Sequence, residues 1–153
     1  HCVVAYNGSY LRMFVDGNLV DQVEAAGSVY WPAAERSLFL GKRGGTLYSG
    51  MLRNVGLWSV ALTDAAVLEM HTKGLNFNPL IGSNNYQNQE DLKAFYRLNE
   101  TGGLYIYDSS IHQNNGTITN NFLNQSAFTT IADSFSYYIQ TDYLGHTRVE
   151  HYK

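Results

Sequence analysis

The sequence has few charged residues and no long apolar run. Lys, Arg, Asp and Glu make up 15% of its 153 residues, and the formal net charge is −3. Nucleic-acid phosphates require a concentrated positive field, and the chain has no cluster of Lys and Arg, so we expect no nucleic-acid partner. No apolar stretch approaches the roughly 20 residues that span a bilayer, so we also expect no membrane span.

The chain contains one cysteine, Cys2, so no disulfide can form within it. Because Cys2 lies in an apolar run, we expect a buried free thiol in a strand. The alternative is half of a disulfide whose partner lies outside this sequence. The sequence starts at His1, without an initiator Met or a signal peptide. We therefore expect a processed chain, a trimmed chain or a piece of a longer parent.

The abundant residues favour a globular, extracellular chain. Hydrophobic residues make up 44% and aromatic residues 14%, which is enough for a packed core. Asn, Ser, Thr, Gln and Tyr supply most of the polar surface, as is typical of extracellular modules, so we expect an extracellular or cell-surface location. Four Asn-x-Ser/Thr sequons are candidates for N-glycosylation: Asn115, Asn99, Asn124 and Asn7. Asn115 is preferred, whereas Asn7 is already explained as a turn residue.

Period-two alternation predicts strands in the first part of the chain. Residues 2–6 form an apolar run, and Asn7-Gly8 predicts a type I′ hairpin turn because both central positions need positive φ. Alternation continues over residues 11–16, and Asp16-Gly17 predicts the next turn. Further strands are predicted at 19–23, 37–41, 51–58, 92–98 and 104–107, and apolar clusters at 127–131, 135–139 and 143–144 are strand candidates.

One short helix is predicted over residues 64–73. Thr63 is its N-cap, and Gly74 occupies the position where a glycine ends many helices. We expect Val67, Leu68 and Met70 to pack against the sheet. Residues 76–90 lack periodicity and are rich in Asn and Gln, which predicts a linker over 76–91.

The order of the segments is informative. The chain opens with His1-Cys-Val-Val-Ala-Tyr-Asn-Gly8 and Leu11-Arg-Met-Phe-Val-Asp-Gly17, and continues with Leu38-Phe-Leu-Gly41 and Tyr48-Ser-Gly-Met-Leu-Arg-Asn-Val-Gly-Leu-Trp-Ser-Val-Ala-Leu-Thr63. These segments resemble the central hairpin and the closing part of a laminin G-like domain, in the concanavalin A-like lectin/glucanase superfamily. Residues 92–119 resemble the opening strand and loops of such a domain.

The resemblance implies an all-β fold: an antiparallel β-sandwich (jelly roll) of laminin G-like type with one short helix, incomplete in this chain. Residues 1–75 would form the C-terminal half of one sandwich, 76–91 a linker, and 92–153 either the start of a second module or the strands that complete the first. In a third arrangement, another chain supplies the missing strands.

The superfamily includes glucanases, whose retaining members need two carboxylates about 5–5.5 Å apart. The six glutamates of this chain are scattered, and none begins a Glu-x-Asp-x-x-Glu strand. Sequence motifs for a serine nucleophile, a zinc site or a phosphate loop are also missing. We therefore expect that the chain is not an enzyme.

The resemblance also implies a possible Ca²⁺ site, because many laminin G-like and lectin domains bind this ion through loop oxygens. Asp16, Asp21 and Asp108 are the candidates, with Asp64 as a further loop acid. Each is equally well explained as a turn former or a helix cap. No other cofactor is expected.

Aromatic residues are the remaining candidates for ligand contact, since their rings stack on sugars and fill protein interfaces. Trp31 and the adjacent Tyr30 lie in a predicted loop, where either ligand contact or simple packing explains them; Trp58 lies in a predicted strand and is expected in the core. The resulting hypothesis is a recognition or adhesion segment of a larger multi-module glycoprotein that binds carbohydrate or an extracellular protein. The alternatives are a building block of a filament or surface coat, with neighbouring copies or the rest of the parent chain as partners, and an accessory domain of a secreted glycosidase.

Overall fold

The computed structural model describes residues 1–29, 37–43, 46–48, 50–100, 102–118 and 138–139. Its contacts divide the chain into two units. The first unit contains residues 1–34 and 56–93, and the second contains 35–55 and 94–153. The proposed division into two modules separated by residues 76–91 stays a prediction.

Three antiparallel strands open the first unit. They are β1 (Cys2–Tyr6), β2 (Tyr10–Val15) and β3 (Asn18–Glu24), and β2 lies between the other two. Cys2 lies in β1 as predicted, but it is exposed, so the expected burial of its thiol is wrong. The reason is the register, which pairs Cys2 with Val15 on the outward face of the sheet.

The two hairpin turns differ from each other. At Asp16-Gly17 both residues have positive φ (49° and 81°), as a type I′ turn requires. At the first turn, only Gly8 has positive φ, and the backbone N–H of Asn7 donates to the carbonyl of Tyr10 at 3.3 Å. Gly8 is thus the first central residue, the pattern of a type II′ turn, and the predicted type I′ turn at Asn7-Gly8 is wrong.

Helix α1 (Asp64–Lys73) begins and ends as predicted. Thr63 Oγ1 accepts a hydrogen bond from the N–H of Ala66 at 3.2 Å, and Gly74 follows the last turn with φ 51°. A short 3₁₀ turn covers Gly74–Asn76. Ala66, Val67 and Met70 form the buried face, whereas Leu68 is exposed, contrary to expectation. Positions 66, 67 and 70 share one side of a 3.6-residue helix, and position 68 lies outside that side.

The core of the first unit lies between the inner face of the sheet and α1. Phe14 is fully buried, and its cross-strand partner Val3 packs against the same cluster. The buried members of the cluster are Ala5, Phe14, Leu62, Ala66, Val67, Met70, Phe77 and Tyr86. Phe77 and Tyr86 come from the segment that the sequence predicts to be a linker. Their burial shows that this segment packs into the core of the unit.

Glu69 on α1 makes the stability of the first unit depend on pH. It pairs with Lys73 at 2.6 Å and accepts the N–H of Asn85 at 2.7 Å. The hydrogen bond from Lys73 contributes most to lowering the pKa of Glu69 from 4.5 to about 2, and the Ser83 side chain and then the N–H of Asn85 lower it further. Because the pKa of Glu69 is lower in the folded chain than in the unfolded chain, its carboxylate stabilises the fold at pH values above the unfolded-state pKa. This contribution is lost as the pH falls towards the folded-state pKa.

We therefore expect the melting temperature to fall as the pH is lowered from about 4.5 to about 2. Glu69→Gln should weaken this dependence, because glutamine does not titrate. Thermal denaturation monitored by circular dichroism between pH 2 and pH 7 measures both effects. Glu24→Gln, on exposed β3, is the matched control. Identical pH profiles for the native chain and Glu69→Gln would contradict the assignment.

Strand β7 (Val55–Trp58) lies beside β8 (Leu92–Tyr96) in a two-stranded sheet. Flanking hydrogen bonds run from Ser59 N to Asp91 O (2.9 Å) and from Asn54 N to Arg97 O (3.4 Å), which makes the pair antiparallel. Strand β8 thus lies beside a strand of the same chain. The predicted strand 51–58 is nevertheless interrupted: β6 (Gly50–Met51) ends before Asn54, whose positive φ of 51° does not suit a strand.

The remaining strands are short. The strand predicted at 37–41 is wrong, because none of these residues lies in a strand. The next two residues form β4 (Lys42–Arg43), which pairs with β5 (Thr46–Leu47). β9 (Tyr105–Ile106) pairs with β10 (Gly116–Thr117), and β11 (Tyr138–Ile139) pairs with β6. The clusters at 127–131 and 143–144 lie outside the described residues. Antiparallel strands with one short helix confirm the all-β character in the described part of the chain, and a closed sandwich stays a prediction.

Candidate recognition site

One buried carboxylate organises the loops of the second unit. Asp108, which is only 5% exposed, follows β9. Its Oδ1 accepts the backbone N–H groups of Phe95 (2.7 Å) and Ser110 (2.8 Å). Its Oδ2 accepts the Ser110 hydroxyl and the N–H of Asn114, both at 2.8 Å. One side chain thus joins the strand at Phe95 to both sides of the 108–114 loop.

The charge of Asp108 is stabilised by these contacts. Burial raises the pKa of the carboxyl group, but the hydrogen bonds from Phe95, Ser110 and Asn114 together outweigh burial and hold the pKa below its usual value. The carboxylate is therefore ionised at neutral pH. An ionised acceptor forms stronger hydrogen bonds than a neutral one, so the loop is held firmly.

Two tyrosines project from the other side of the same stretch. Tyr105 and Tyr107 are 54% and 58% exposed, whereas Ile106 is half-buried and Asp108 is buried. This alternation places the two rings on one face of the strand, about 6.5–7 Å apart along the backbone. Leu104 and Ile111 are exposed nearby in sequence. The described part of the second unit thus presents an aromatic pair on a firmly held backbone.

Polar side chains lie beside this pair. Thr117 on β10 is the cross-strand partner of Tyr105 and is exposed. Asn115, also exposed, accepts the N–H of Asp108 through Oδ1 at 3.0 Å, directly after Tyr107. We call these four residues, Tyr105, Tyr107, Asn115 and Thr117, the tyrosine platform. Its combination of ring faces with amide and hydroxyl groups suits a ligand that is itself partly apolar and partly hydroxylated.

A second exposed surface lies on the first unit. The register pairs Val4 with Met13 and Leu11 with Val23 on the side of the sheet opposite Phe14. We call this outer side of β1, β2 and β3 the sheet face; its exposed apolar residues are Val4, Leu11, Met13, Val15 and Val23. Among the described residues, no strand pairs with the outer edges of β1 and β3. An apolar face with open edges is a feature of interaction surfaces.

Residues 1–68 match the family model of the concanavalin A-like lectin/glucanases superfamily, in its laminin G form. The match contains the whole three-stranded sheet and the start of α1. This segment is therefore similar to that superfamily. Comparison with curated proteins and with solved structures finds no match to the chain. The similarity suggests a carbohydrate- or protein-binding module.

Three aspartates of the laminin G-like segment have partners of their own. Asp16 Oδ1 accepts a hydrogen bond from the backbone nitrogen of His1 at 2.9 Å. Asp64 pairs with Arg12 at 2.7 Å, and Asp21 accepts the N–H of the following residue at 2.8 Å.

Each Ca²⁺ candidate has its own local place in the described structure. Asp16 lies at the β2–β3 turn, Asp21 lies within β3, and Asp108 uses both oxygens to hold its own loop. Within the described ranges, no three His, Cys, Asp or Glu side chains are grouped to hold a metal ion. Calcium binding at Asp16, Asp21 or Asp108 stays a prediction.

The other predicted site residues are placed as follows. Tyr30, Trp31 and Asn124 lie outside the described residues, whereas Asn7, Asn99 and Asn115 are exposed. Asn7 Oδ1 accepts the backbone N–H groups of Ser9 and Tyr10, at 3.0 and 2.8 Å. In the part of the chain that the structure describes, no helix is long and apolar enough to cross a membrane.

Sequence reasoning missed the tyrosine platform. Its signal is the alternation Leu-Tyr-Ile-Tyr-Asp over residues 104–108, in which tyrosine takes the outward positions. The strand over 104–107 was predicted, but the face that the core covers was not. The buried position of Asp108 determines which face is covered, because a buried carboxylate needs hydrogen-bond donors and the adjacent loop supplies them. The two tyrosines, at alternate positions, therefore lie on the exposed face.

Proposed function

We propose that the chain is a non-catalytic extracellular recognition or adhesion segment of a larger multi-module glycoprotein, and that it binds carbohydrate or protein. The match of residues 1–68 to the laminin G form of the superfamily carries the proposal. The low charge of the chain supports a ligand held by ring faces and hydrogen bonds rather than by ion pairs.

The non-catalytic part of the proposal is supported by the acidic side chains themselves. A retaining glycosidase would need two free carboxylates about 5–5.5 Å apart. Among the described acids, Asp64 and Glu69 are paired with Arg12 and Lys73, and Asp108 is enclosed by hydrogen-bond donors. These groups stabilise local structure, which is a different task from proton transfer or nucleophilic attack.

A binding screen tests the proposal. The 153-residue chain, produced without glycans and labelled at an added terminal tag, is applied to arrays of glycans and of extracellular proteins. The screen is done once with Ca²⁺ and once with a chelator. We expect selective binding to one glycan or protein class. The lack of any selective binding in both conditions contradicts the recognition role, and release of free sugar from the array contradicts the non-catalytic part.

A second candidate function is a building block of an extracellular filament or surface coat, in which copies of the chain cover one another's sheet face. The exposed apolar residues of that face and the open edges of β1 and β3 favour it, because a copy that adds a strand there gains backbone hydrogen bonds and apolar burial together.

We expect under this alternative that the chain self-associates and that Val4→Lys with Met13→Lys abolishes association. The two residues face each other across β1 and β2, so both charges would enter the buried contact. Light scattering coupled to size-exclusion chromatography measures the mass. Ile111→Lys, at an exposed position of the second unit, is the control. A monomeric native chain at high concentration excludes the alternative.

A further inference from the structure

The sequon Asn115-Gly116-Thr117 lies directly on the tyrosine platform. Gly116 pairs with Ile106 and Thr117 with Tyr105 in the β9–β10 ladder. The hydrogen bond from Asp108 N to Asn115 Oδ1 places the Asn115 amide beside the peptide that follows Tyr107. Both the acceptor asparagine and the sequon threonine are exposed. A sugar attached at Asn115 would therefore begin next to two exposed aromatic rings.

We propose that Asn115 carries an N-linked glycan and that the Tyr105–Tyr107 pair packs against its first sugar. The inference rests on the extracellular location in the proposed function. It assigns a role to the tyrosine pair that the superfamily match does not, since Asn115 and both tyrosines lie outside residues 1–68.

The chemistry of the asparagine is compatible with this role. A backbone N–H can only donate, so the atom that Asp108 contacts is Oδ1, and Nδ2 is the other atom of the same amide. Glycan transfer forms a bond from Nδ2 to the anomeric carbon of the sugar and breaks that carbon's bond to the diphosphate of a lipid-linked donor. One proton leaves Nδ2. Oδ1 is unchanged, so the hydrogen bond to Asp108 is retained and continues to orient the modified side chain.

The tyrosines supply the complementary surface. A pyranose ring has an apolar face of C–H groups and a rim of hydroxyl groups, so it can cover a tyrosine ring while its hydroxyls stay in water. More than half of each tyrosine side chain is exposed without the sugar. The backbone below them is already held by Asp108, so little additional conformational freedom is lost when a sugar packs there.

The test uses a chain in which Asn115 is the last remaining sequon. Ser9→Ala, Thr101→Ala and Ser126→Ala remove the other three sequons and keep their asparagines, including the Asn7 side chain that holds the first turn. This chain is secreted from a glycosylating cell line and is also made in bacteria. An endoglycosidase trims the glycan to its first N-acetylglucosamine. Mass spectrometry of the peptide that contains Asn115 measures occupancy, with Thr117→Ala as the unglycosylated control and Thr117→Ser as the glycosylated one.

The melting temperature then reports the contact. We expect the single-sugar form to melt about 2–4 °C above the bacterial form of the same sequence. Tyr105→Ala with Tyr107→Ala should abolish this difference, whereas Tyr105→Phe with Tyr107→Phe should keep it because the ring faces remain. Both tyrosines are exposed, so neither pair of substitutions removes core packing.

Three outcomes overturn the inference. They are an unoccupied Asn115 in the glycosylating host, an equal melting temperature for the two forms, and a difference that survives the double alanine substitution. Failure of the proposed function is separate, because the array screen uses glycan-free chain. A chain that binds no ligand but shows the tyrosine-dependent shift leaves this inference standing, and a chain that binds its ligand but lacks the shift overturns this inference alone.

Discussion

Asp108→Ala is expected to destabilise the second unit by about 3–5 kcal/mol. The substitution removes the acceptor for three backbone N–H groups and one hydroxyl, contributed by Phe95, Ser110 and Asn114. The N–H groups of Phe95 and Ser110 are in buried contacts, where water cannot easily replace the lost oxygen. Each buried donor left without a partner costs about 1–3 kcal/mol, and the partly buried Asn114 contributes less.

Asp108→Asn separates the shape of the side chain from its charge. The amide keeps an acceptor at the Oδ1 position, but its NH₂ group would face the N–H of Asn114, so two donors would oppose each other. We expect Asp108→Asn to lower the free energy of unfolding by about 1–2 kcal/mol, which is less than the effect of Asp108→Ala. Ser109→Ala, at a half-buried neighbour whose backbone rather than side chain bonds to Phe95, is the control.

Urea unfolding measures the loss of stability in the Asp108 variants, and amide hydrogen exchange shows where in the chain it occurs. Protection of the amides of Phe95, Ser110 and Asn114 should fall in both Asp108 variants, while the amides of β2 keep theirs. Unchanged exchange at those three amides in Asp108→Ala would show that the carboxylate does not hold the loop. If exchange rises in both units alike, the role of Asp108 is global and not confined to its loop.

The elements that sequence reasoning predicted well are those determined locally. Thr63 and Gly74 bound helix α1 through contacts within one turn, so the residue types alone predict its ends. Asp16-Gly17 likewise adopts the positive φ values that suit an Asp-Gly pair. Residues 2–6 and 10–15 form strands as the apolar run and the alternation indicate.

What the alternation cannot predict is which face of a strand the core covers. In β2, Phe14 is fully buried, whereas Met13 is 42% exposed although both side chains are apolar. The choice depends on α1 packing against one side of the sheet, which is a tertiary contact. The same limit explains Cys2, whose apolar neighbours suggested burial but whose register places it on the outward side.

The segment 76–91 shows the other limit, since its composition concealed its packing. Asn and Gln crowd this stretch, and no helical or strand period connects its apolar residues, so it was predicted as a linker. Phe77, Pro79 and Tyr86 are nevertheless buried. Irregular segments can anchor a core through single aromatic residues, and periodicity does not detect such anchors. Predicting this one requires knowledge of the tertiary contacts of Tyr86 with Trp58 and Phe77.

Tyr86→Ala is expected to cost about 3–5 kcal/mol, the usual range for removing a fully buried aromatic side chain. The Tyr86 ring packs edge-on against Phe77 at 4.9 Å and Trp58 at 6.3 Å between ring centroids. Its hydroxyl accepts the Trp58 Nε1–H and donates to the Pro79 carbonyl, both at 2.9 Å. Burial raises the pKa of this phenol, so its proton remains available for the second bond throughout the neutral range.

The measurement is unfolding in urea followed by tryptophan fluorescence, because Trp58 contacts the substituted side chain directly. Tyr86→Phe keeps the ring and removes only the hydroxyl. We expect this loss of two hydrogen bonds to lower the free energy of unfolding by about 1–2 kcal/mol. Tyr105→Ala, which truncates an exposed ring, should change stability by less than about 0.5 kcal/mol. If residues 76–91 behaved as a linker in solution, Tyr86→Ala and Tyr105→Ala would have equally small effects. A loss that is large for Tyr86→Ala and intermediate for Tyr86→Phe would instead establish that the segment closes the core beneath α1 and the three-stranded sheet.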